Sequence, residues 1–496
     1  MKVLIAAVLL RAVGAAPLRS GVTPDDKREL LPLKLRKARL NSVGLHKWAI
    51  EAVAWPLMEK RKHNQIREFT AQLQASQWQT PDALLSLQQE RLTPLLLHCR
   101  EHVPAYQQSL QAFTKEQIEK DPMGVLKSLP VLSKRQFREQ SERYRADNRP
   151  DVIANSTGGS TGVPLRFYMD RPQVESYEAA RWRGLSWYGI TPGSRSVMIW
   201  GNRPNMAASA LKKQSLYEWG LKNRITISAY DLSLENIPGA VKKISRFSPE
   251  YLYGYANGLD ALATLMLNRG LTYPKKLKAV VSTAEDLLPE AKKRIEAVFD
   301  CPVVNEYGAK DAGILGYTCE KGHLHLTVEN GIFELLDPVT LEAAAPGERG
   351  VLAVTDLHNY AMPRLRYLLA DVLSIAQDPC ACGRGLPVAD SINGREETLL
   401  QAADGTLVHG SVVCVLARQY PSIARFQIEQ VAPDRAILRL ERDHPTDEGA
   451  AELQFYLEKA LKGVKVELED PAEIKPEASG KYRYAIRRFE LQNIEQ

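Results

Sequence analysis

One glycine-rich segment, residues 155–168, limits the possible folds of this chain more than any other part of its sequence. Its glycine and hydroxyl residues are Ser156, Thr157, Gly158, Gly159, Ser160, Thr161 and Gly162. The glycines allow sharp turns that point backbone N–H groups at an anion, and the hydroxyls add donors. The lysine of a P-loop is absent, and Pro164 followed by strand-like residues 165–168 indicates a loop entering a hairpin. The segment predicts a nucleotide triphosphate site, with a Ser/Gly-rich surface turn as the alternative.

Length and composition indicate a globular protein of more than one domain. A chain of 496 residues is too long to fold around a single hydrophobic core of ordinary size. Its composition, with 44% hydrophobic and 25% charged residues, is typical of globular chains. The net charge of +6 is spread along the sequence, so nucleic acid is not indicated as a partner. Basic clusters at 27–39 and 60–62 are typical of solvated helix faces, with an anionic membrane surface as the alternative.

The N-terminal residues 2–17 superficially resemble a short signal peptide. Arg11 interrupts their apolar run, which favours a short N-terminal element or a membrane-surface contact. No run of 18 apolar residues occurs, so no transmembrane helix is expected. Six cysteines in so long a chain are too sparse for a disulfide scaffold.

Hydrophobic periodicity predicts the order of helices and strands. Residues 27–120 have helical spacing, and residues 151–300 alternate strand-like and helix-like runs, as layered α/β structures do. The predicted strands are 196–200, 225–230, 279–282, 332–336, 350–355 and 366–375. The predicted helices are 174–188, 256–268 and 289–299. After Gly394 the pattern becomes strand, turn at Asp404–Gly405, strand, helix at 412–419, two strands, helix at 447–461 and strand at 464–468.

Five ordered segments carry a family resemblance: STGGSTGVP, NEYGAKD, LRYLLAD, INGRE and SGKYR. Together they resemble the adenylate-forming enzymes, most closely the branch of phenylacetate-CoA ligase and the CapK-like capsule-biosynthesis proteins. The resemblance implies an α/β fold: a large N-terminal domain with mixed sheets flanked by helices and a β subregion, then a small mobile α+β domain. We expect a helical lead-in and start of the large domain at 1–150, an adenylation core at 151–393 and the mobile domain at 394–496, which swings about residues 393–395.

The resemblance assigns roles at the nucleotide to residues of four of these segments. The loop 156–162 would hold the β- and γ-phosphates, with Thr161 nearest the metal-bound oxygens. Asp371 matches the aspartate that accepts from both ribose hydroxyls, although Ala370 replaces the usual glycine. Arg395 would pair with ribose or phosphate. Lys481 matches the lysine that enters the closed site and neutralises charge on the transferring phosphoryl group.

The NEYGAKD segment predicts a strand at 302–304 that ends in a turn. Tyr307 would then lie flat on the adenine and Asp311 would hold Mg²⁺. The family pattern has glutamate at the position of Asp311. Without the family, Tyr307 reads as a core aromatic residue and Asp311 as a helix cap. Further candidates for the adenine and substrate walls are Ala284, Glu285, Asn305 and Gly308.

A mixture of aromatic and polar residues marks the expected acid-binding pocket. Its candidates are Asn202, Arg203, Tyr253, Tyr255 and Asn257. This mixture does not choose between an aryl acid and a sugar acid. Arg203 would pair with a second anion on the substrate, with surface exposure as the alternative.

Cysteines and a histidine form a second group with metal-ligand chemistry. Cys319, His325, Cys380 and Cys382 suit tetrahedral Zn²⁺, with His323 as the competitor of His325 and free thiols as the alternative. Similar CxCG-containing members of the branch carry a structural zinc, which the resemblance extends to this chain. The other cysteines are expected to be buried thiols: Cys99, Cys301 and Cys414.

The resemblance implies an ATP-dependent ligase. ATP and a carboxylic acid would give an acyl-AMP and pyrophosphate, after which coenzyme A, or an amine or hydroxyl of a cell-surface saccharide, would displace AMP. Consumption of ATP implies a cytoplasmic location, at most peripheral at the inner membrane face. The alternatives are a non-catalytic nucleotide-binding or assembly protein of the same fold, and a metal-dependent hydrolase, against which the Cys-rich ligand set argues.

Overall fold

The computed structural model of the chain describes most of its residues after the first 41. The described residues are 42–156, 165–200, 208–229, 232–337, 340–395, 399–405, 407–409, 413, 416–417, 420, 423–442, 449–470, 474 and 484–489. They form two compact units, one mainly from the chain up to Ala75 and from Glu175–Gly308, the other mainly from Ser76–Val174 and from His323 onward.

Helices and strands follow the order that the periodicity predicts. The helices are α1 Ser42–Ala49, α2 Trp55–Lys62, α3 Ile66–Ser76, α4 Pro81–His102, α5 Pro104–Gln111, α6 Lys115–Lys120, α7 Pro122–Ser128, α8 Lys134–Glu139, α9 Arg171–Ser186, α10 Ala208–Lys222, α11 Ile237–Phe247, α12 Ala256–Asn268, α13 Pro289–Phe299 and α14 Gly449–Ala460. A π-helical turn, Ile50–Ala54, joins α1 to α2, and a 3₁₀ turn covers Ser141–Tyr144.

The strands belong to four sheets. The strands are β1 Ile153–Ser156, β2 Arg166–Met169, β3 Ser196–Trp200, β4 Arg224–Ser228, β5 Tyr251–Tyr255, β6 Ala279–Thr283, β7 Val303–Ala309, β8 Gly313–Thr318, β9 Leu324–Leu326, β10 Gly331–Leu336, β11 Gly350–Asp356, β12 Tyr367–Ile375, β13 Val388–Arg395, β14 Leu399–Gln401, β15 Leu407–His409, β16 Ile423–Ala432, β17 Arg435–Arg442, β18 Lys465–Glu469 and β19 Ala485–Arg487. The largest sheet is mixed and has 11 strands in the order β10-β11-β12-β13-β9-β8-β7-β6-β5-β3-β4.

Parallel strands dominate the first unit. Strands β4, β3, β5, β6 and β7 pair in parallel, with α9 to α13 between or before them in the chain. Buried residues of the strands and of α11, α12 and α13 form one apolar core, which includes Ile199, Leu252 and Val280. The carboxyl ends of these parallel strands share one edge, which is where open α/β sheets carry their binding sites.

Antiparallel strands and short helices build the second unit. Strands β10, β11, β12 and β13 pair antiparallel, and β13 pairs with β9. Helix α4 starts at an N-cap, where the Thr80 side chain accepts from the N–H of Ala83 at 3.3 Å, and it buries Leu84, Leu92 and Leu95. Helices α1 to α6 cover most of residues 42–120, as the helical periodicity of that stretch predicts.

A two-stranded hairpin flanks the glycine-rich loop. Strands β1 and β2 pair antiparallel, with Ser156 opposite Arg166 and Ile153 opposite Met169. The predicted strand at 165–168 is thus found one residue later, at Arg166–Met169. The loop itself, 157–164, lies outside the described residues.

The C-terminal part has its own apolar core. Strands β14 and β15 form a hairpin, and β18-β17-β16-β19 form a four-stranded sheet on which α14 packs. The predicted turn at Asp404–Gly405 lies between β14 and β15, with φ of 82° at Gly405. The two strands, helix and strand after residue 420 are confirmed, whereas most of the predicted helix 412–419 lies outside the described residues.

Among the helices that the structure describes, none has both the length and the hydropathy needed to cross a bilayer. Residues 1–41, which include the signal-like segment and the basic cluster 27–39, lie outside the described part of the chain.

Candidate active site

The stem of the glycine-rich loop is hydrogen-bonded to the NEYGAKD segment. Lys310 Nζ donates to the carbonyl oxygen of Ser156, at 2.5 Å, although the two residues are 154 positions apart. Lys310 follows the last residue of β7, and Ser156 ends β1. Two of the five family segments therefore meet in space. The predicted phosphate ligands from Thr157 to Gly162 lie outside the described residues.

Asp311 is a buried carboxylate at the turn after β7. Its exposure is 4%, its Oδ2 accepts from the Tyr367 hydroxyl at 2.9 Å, and Lys134 Nζ lies 3.9 Å from the same oxygen. Arg364 donates to the Asp311 carbonyl oxygen at 2.7 Å. Burial raises the pKa of Asp311, but Lys134, Arg364 and Tyr367 together lower it below its ordinary value. The carboxylate is therefore held in its charged form.

Strand β7 is longer than the sequence analysis predicted. The expected turn after residue 304 is wrong, because Asn305, Glu306 and Tyr307 continue the strand and Ser282 and Thr283 of β6 pair with the first two. The side chain of Tyr307 is buried, and Gly308 is half-buried. The N–H of Asn305 donates to the Thr318 hydroxyl at 3.2 Å.

Asp371 and Arg395 are brought opposite each other. They are register partners in the antiparallel pair of β12 and β13, so the LRYLLAD and INGRE segments also meet. Asp371 is buried, with 8% exposure. The side chains of Ala370 and Arg395 and all of Lys481 lie outside the described part of the structure.

A partly buried ion pair that the sequence analysis missed involves Glu306 of β7. Its carboxylate accepts two hydrogen bonds from Arg181 of α9, at 3.0 and 3.3 Å, one from the Tyr253 hydroxyl at 2.7 Å and one from Thr283 at 3.2 Å. Arg181 also donates to Glu178 at 2.6 Å. Burial lowers the pKa of Arg181, but the two carboxylates outweigh it and raise the pKa. The available signal was positional: Glu306 lies two residues after buried Val304 on β7 and so faces the same side.

Aromatic rings lie beside this ion pair, in the region of the expected acid pocket. Trp200 stacks on Tyr255 with ring centroids 3.9 Å apart and lies 6.1 Å from the Tyr253 ring at an interplanar angle of 18°. The Arg181 guanidinium lies 5.9 Å from the centre of the Tyr253 ring. Tyr253 is thus part of the buried network, while Tyr255 is half-buried. The predicted pocket residues Asn202 and Arg203 lie outside the described residues.

The turn after β6 positions two further candidates. Ala284 has a φ of 66°, a left-handed conformation that is uncommon for a residue with a side chain. The next residue, Glu285, accepts from the backbone N–H of Asn257 at 3.0 Å, in the first turn of α12. A carboxylate at a helix N-terminus interacts favourably with the helix dipole. The hydrogen bond between the Glu285 side chain and the Asn257 backbone lies at the carboxyl ends of β5 and β6.

Four candidate metal ligands converge at two glycine-containing turns. The ligand atoms of Cys319, His325, Cys380 and Cys382 all lie within 4.8 Å of one another. In each turn a cysteine carbonyl accepts from the N–H of a glycine with positive φ: Cys319 from Gly322 and Cys380 from Gly383. Two cysteine sulfurs also accept backbone N–H groups, from Lys321 and Cys382, at 3.4 Å.

The orientation of His325 favours metal binding. Its Nδ1 lies 3.0 Å from the carbonyl oxygen of Leu386, so a proton there leaves the Nε2 lone pair facing the Cys382 sulfur at 3.2 Å. His323, the competing ligand, instead places its Nδ1 3.2 Å from the Cys380 sulfur. Burial raises the pKa of Cys382, but hydrogen bonds from Arg384 and Cys380 and the charge of Arg384 lower it overall. The group can therefore supply the thiolate that a metal requires.

The other cysteines differ in burial. Cys99 is fully buried and its pKa is raised by burial, as expected for an inert thiol. Cys301 is only partly buried, because it lies at the edge of the apolar core, and burial raises its pKa to about 12. Cys414 lies outside the described residues.

Known proteins resemble this chain over much of its length, although no model of a protein family matches it. It is 25% identical over 254 residues to Protein CapK of Staphylococcus aureus, covering 51% of this chain and 55% of CapK. It is 24% identical over 384 residues to phenylacetate-coenzyme A ligase of Thermus thermophilus, covering 73% of this chain and 82% of that enzyme. The chain thus spans little more than half the length of CapK.

Solved structures resemble the fold. One structure of 2-hydroxyisobutyryl-CoA ligase, in the postadenylation state with R3-HIB-AMP, has a TM-score of 0.62 at 19% identity and covers 81% of this chain and 89% of that one. An open conformation of the same enzyme, in complex with 2-HIB-AMP and CoA, has a TM-score of 0.52 at 20% identity and covers 80% of this chain and 90% of that one.

The fold class predicted from the sequence is confirmed: a large mixed sheet flanked by helices. The fold brings together segments that carry the family resemblance, namely STGGSTGVP with NEYGAKD and LRYLLAD with INGRE. The relatives found by sequence include proteins of that same branch, CapK and phenylacetate-coenzyme A ligase. The chain is therefore similar in sequence to phenylacetate-coenzyme A ligase and CapK, and similar in fold to 2-hydroxyisobutyryl-CoA ligase.

Proposed function

We propose that this protein is an ATP-dependent, carboxylate-activating ligase. A carboxylate oxygen attacks the α-phosphate of ATP, the bond to the β-phosphate breaks, and an acyl-AMP and pyrophosphate form. A nucleophile then attacks the acyl carbon and releases AMP. The observation that carries the proposal is the hydrogen bond from Lys310 to Ser156, because it joins the stem of the glycine-rich loop to the segment that contains Asp311.

The protein's own groups would bind and orient ATP. The loop 156–162 would direct N–H and hydroxyl donors at the β- and γ-phosphates, and Asp371 would accept from the ribose hydroxyls. Tyr307, Gly308, Asn305 and the turn at Ala284 and Glu285 would line the adenine side, with Arg395 on ribose or phosphate.

The carboxylate of Asp311 is the kind of ligand that Mg²⁺ prefers. The hydroxyl of Tyr367 and the ammonium of Lys134 approach Oδ2, and a magnesium ion bound to ATP needs only one or two carboxylate oxygens besides phosphates and waters. When bound, the ion neutralises phosphate charge. Aspartate is one methylene shorter than the glutamate of the family pattern, and a carboxylate oxygen of either residue suits a hard cation.

The second substrate is proposed from the relatives. The similarity to phenylacetate-coenzyme A ligase supports coenzyme A as acceptor. The resemblance to CapK-like capsule-biosynthesis proteins favours instead an amine or hydroxyl acceptor in capsule or exopolysaccharide modification. The acid is an aryl or sugar acid that enters near Tyr253, Tyr255 and Asn257, with Asn202 and Arg203 on the adjoining segment. Lys481 closes over the reacting phosphoryl group.

Substitution of Lys481 tests the reaction. In Lys481→Ala, acid-dependent pyrophosphate release should fall by about 10²–10³, because a cation that stabilises transition-state charge is lost. ATP binding, measured by calorimetry, should change only a few-fold, and Arg488→Ala at the exposed C-terminal end is the matched control. Nucleotide binding without pyrophosphate release from the wild type, over aryl, fatty, amino and uronic acids, would instead identify a non-catalytic nucleotide-binding protein.

We also propose a structural zinc at Cys319, His325, Cys380 and Cys382. Tetrahedral Zn–S bonds of about 2.3 Å place neighbouring ligands about 3.8 Å apart, within the 4.8 Å spread of these atoms. All four ligands are protein atoms, so the site would be closed and structural. In Cys380→Ser, zinc content by mass spectrometry and the melting temperature should both fall, whereas Cys99→Ser should keep its zinc. A metal-free wild type of undiminished stability would refute the zinc proposal.

A further inference from the structure

Arg364 is a buried arginine beside the turn that carries Asp311. Its exposure is 2%, and its guanidinium donates to two backbone carbonyl oxygens, that of Asp311 at 2.7 Å and that of Met362 at 3.4 Å. Burying a charged group costs free energy unless the surrounding groups offset the loss of water. The guanidinium is therefore stable only where it keeps these contacts, and it holds the Asp311 turn in place.

Three aromatic rings lie close to the same guanidinium. Its carbon is 5.3 Å from the ring centre of Phe167, 5.7 Å from that of Phe137 and 5.9 Å from that of Tyr367. At such distances the face of a ring attracts a cation, and a planar guanidinium stacks on aromatic faces where a hydrated ammonium does not. The rings thus offset part of the cost of burial.

Two of these rings belong to strands that carry parts of the proposed site. Phe167 lies on β2, whose partner strand β1 ends at Ser156, the first residue of the glycine-rich loop. Tyr367 lies on β12, and its hydroxyl donates to the Asp311 carboxylate at 2.9 Å. One guanidinium therefore contacts both the hairpin that flanks the loop and the turn that carries the carboxylate.

A second contact connects the same two regions. The backbone N–H of Tyr168, which follows Phe167 on β2, donates to the sulfur of Met362 at 3.3 Å. The carbonyl oxygen of Met362 in turn accepts from Arg364. Residues 362–364 thus contact β2 through both a side-chain sulfur and a guanidinium, and they set its separation from Asp311.

We propose that Arg364 is a positioning residue that fixes the distance between the glycine-rich loop and Asp311. The inference rests on the proposed ligase function and adds a residue that acts through others. A Mg²⁺ ion that binds both a carboxylate and the phosphates of ATP requires the two at one separation. A displacement of about 1 Å can lower a rate about 100-fold. Arg364 therefore couples the binding of Mg²⁺ to the binding of ATP.

The factor by which Mg²⁺ tightens ATP binding measures this coupling. Calorimetry gives the dissociation constant of ATP with Mg²⁺ and with a chelator in its place, and the ratio of the two constants should fall about tenfold in Arg364→Lys. Lysine keeps the charge but lacks the planar fork that donates to both carbonyls and stacks on the rings. A general loss of structure weakens ATP binding under both conditions and leaves the ratio unchanged.

Arg183→Lys is the matched control for the loss of a buried guanidinium. Arg183 is fully buried in the first unit, and its guanidinium carbon lies 5.3 Å from the ring centre of Trp187. The ratio of the two dissociation constants should stay at the wild-type value in this variant.

A milder variant decides the question if Arg364→Lys fails to fold, which thermal melting followed by circular dichroism shows. Phe167→Leu keeps Arg364 and Asp311 and removes one ring from the guanidinium, so the ratio should fall about threefold. A wild-type ratio in either folded variant overturns the positioning role.

Pyrophosphate release distinguishes this proposal from the ligase function. Acid-dependent release by the wild type that stays undiminished in Arg364→Lys, with an unchanged ratio, overturns the positioning role and supports the function. A ratio that falls in Arg364→Lys, in a protein whose wild type releases no pyrophosphate with any acid, overturns the function and supports the positioning role. Wild-type protein that binds ATP equally with and without Mg²⁺ overturns the positioning role, and one that does not bind ATP overturns both.

Discussion

Glu306 and Asp311 are both buried carboxylates of the NEYGAKD segment, yet their surroundings differ. Glu306 accepts hydrogen bonds from a guanidinium and from two hydroxyls, which occupy both of its oxygens. Asp311 has no guanidinium on its carboxylate in the described contacts: its Oδ2 accepts from the Tyr367 hydroxyl and lies 3.9 Å from the Lys134 ammonium. A carboxylate whose two oxygens accept four hydrogen bonds is suited to a structural role, whereas for the charged carboxylate of Asp311 we propose cation binding.

The largest expected effect is on folding, from Glu306→Ala. This variant leaves Arg181 with one carboxylate fewer and two buried hydroxyls without their acceptor, and should lower the free energy of unfolding by about 3–5 kcal/mol. Denaturant unfolding followed by circular dichroism measures the loss. The double variant with Arg181→Met should recover part of it. Full stability of Glu306→Ala would contradict the structural role and remove the contrast with Asp311.

Asp311→Asn should affect catalysis more than folding. Asparagine still accepts from Tyr367, but it loses the charge that would bind Mg²⁺, so acid-dependent pyrophosphate release at saturating ATP should fall about 100-fold. The Mg²⁺ concentration for half-maximal rate should also rise. Asp147→Asn, an exposed carboxylate, is the control. An unchanged rate and unchanged Mg²⁺ dependence would exclude Asp311 as the metal ligand.

Tyr367→Phe should have the smallest effect, and it should depend on pH. Loss of one hydrogen bond to a charged group should cost about 1.5–3 kcal/mol at pH 7. The pKa of Asp311 is lowered in the folded protein, so its contribution is present above its unfolded pKa of about 3.9 and is lost as the pH falls through the folded pKa. Removal of the hydroxyl raises that pKa, which shifts the acid loss of stability to higher pH.

Melting temperatures of the wild type and Tyr367→Phe between about pH 3 and pH 7 measure this shift. Tyr144→Phe is the matched control, because its ring packs 5.3 Å from the ring of Phe137, which is also a neighbour of Tyr367. Parallel pH profiles for wild type and Tyr367→Phe would show that the hydroxyl does not hold Asp311 in its charged form.

Much of the fold could be predicted from local patterns. Strand β3 and helices α12 and α13 have the predicted bounds. In α13 the two ends are marked by a proline at the first helical position and by Asp300, with φ of 47°, directly after the last. Strand β7 was predicted too short, since asparagine and glycine, present here as Asn305 and Gly308, are residue types that favour turns. Pairing with β6 and the burial of Glu306 outweigh that local preference.

The candidate site was predicted less completely. The cysteines and His325 were found because their chemistry is rare and their turns contain glycine at short spacing. The Arg181–Glu306 pair was missed, because its partners are 125 residues apart and each is ordinary in its own segment. The roles of Lys481 and of residues 157–162 remain predictions.

The β1–β2 hairpin has a consequence for how tightly a ligand can be held. Ser156 and Arg166 are opposite each other in an antiparallel ladder, so both ends of the segment between them are fixed about 5 Å apart before any ligand arrives. Bringing the two ends of a segment together costs conformational entropy, and here that part of the cost is met when the protein folds and not when a ligand binds. Substitutions in the two strands should therefore weaken the proposed nucleotide binding without touching the nucleotide, because they loosen the anchors of the segment.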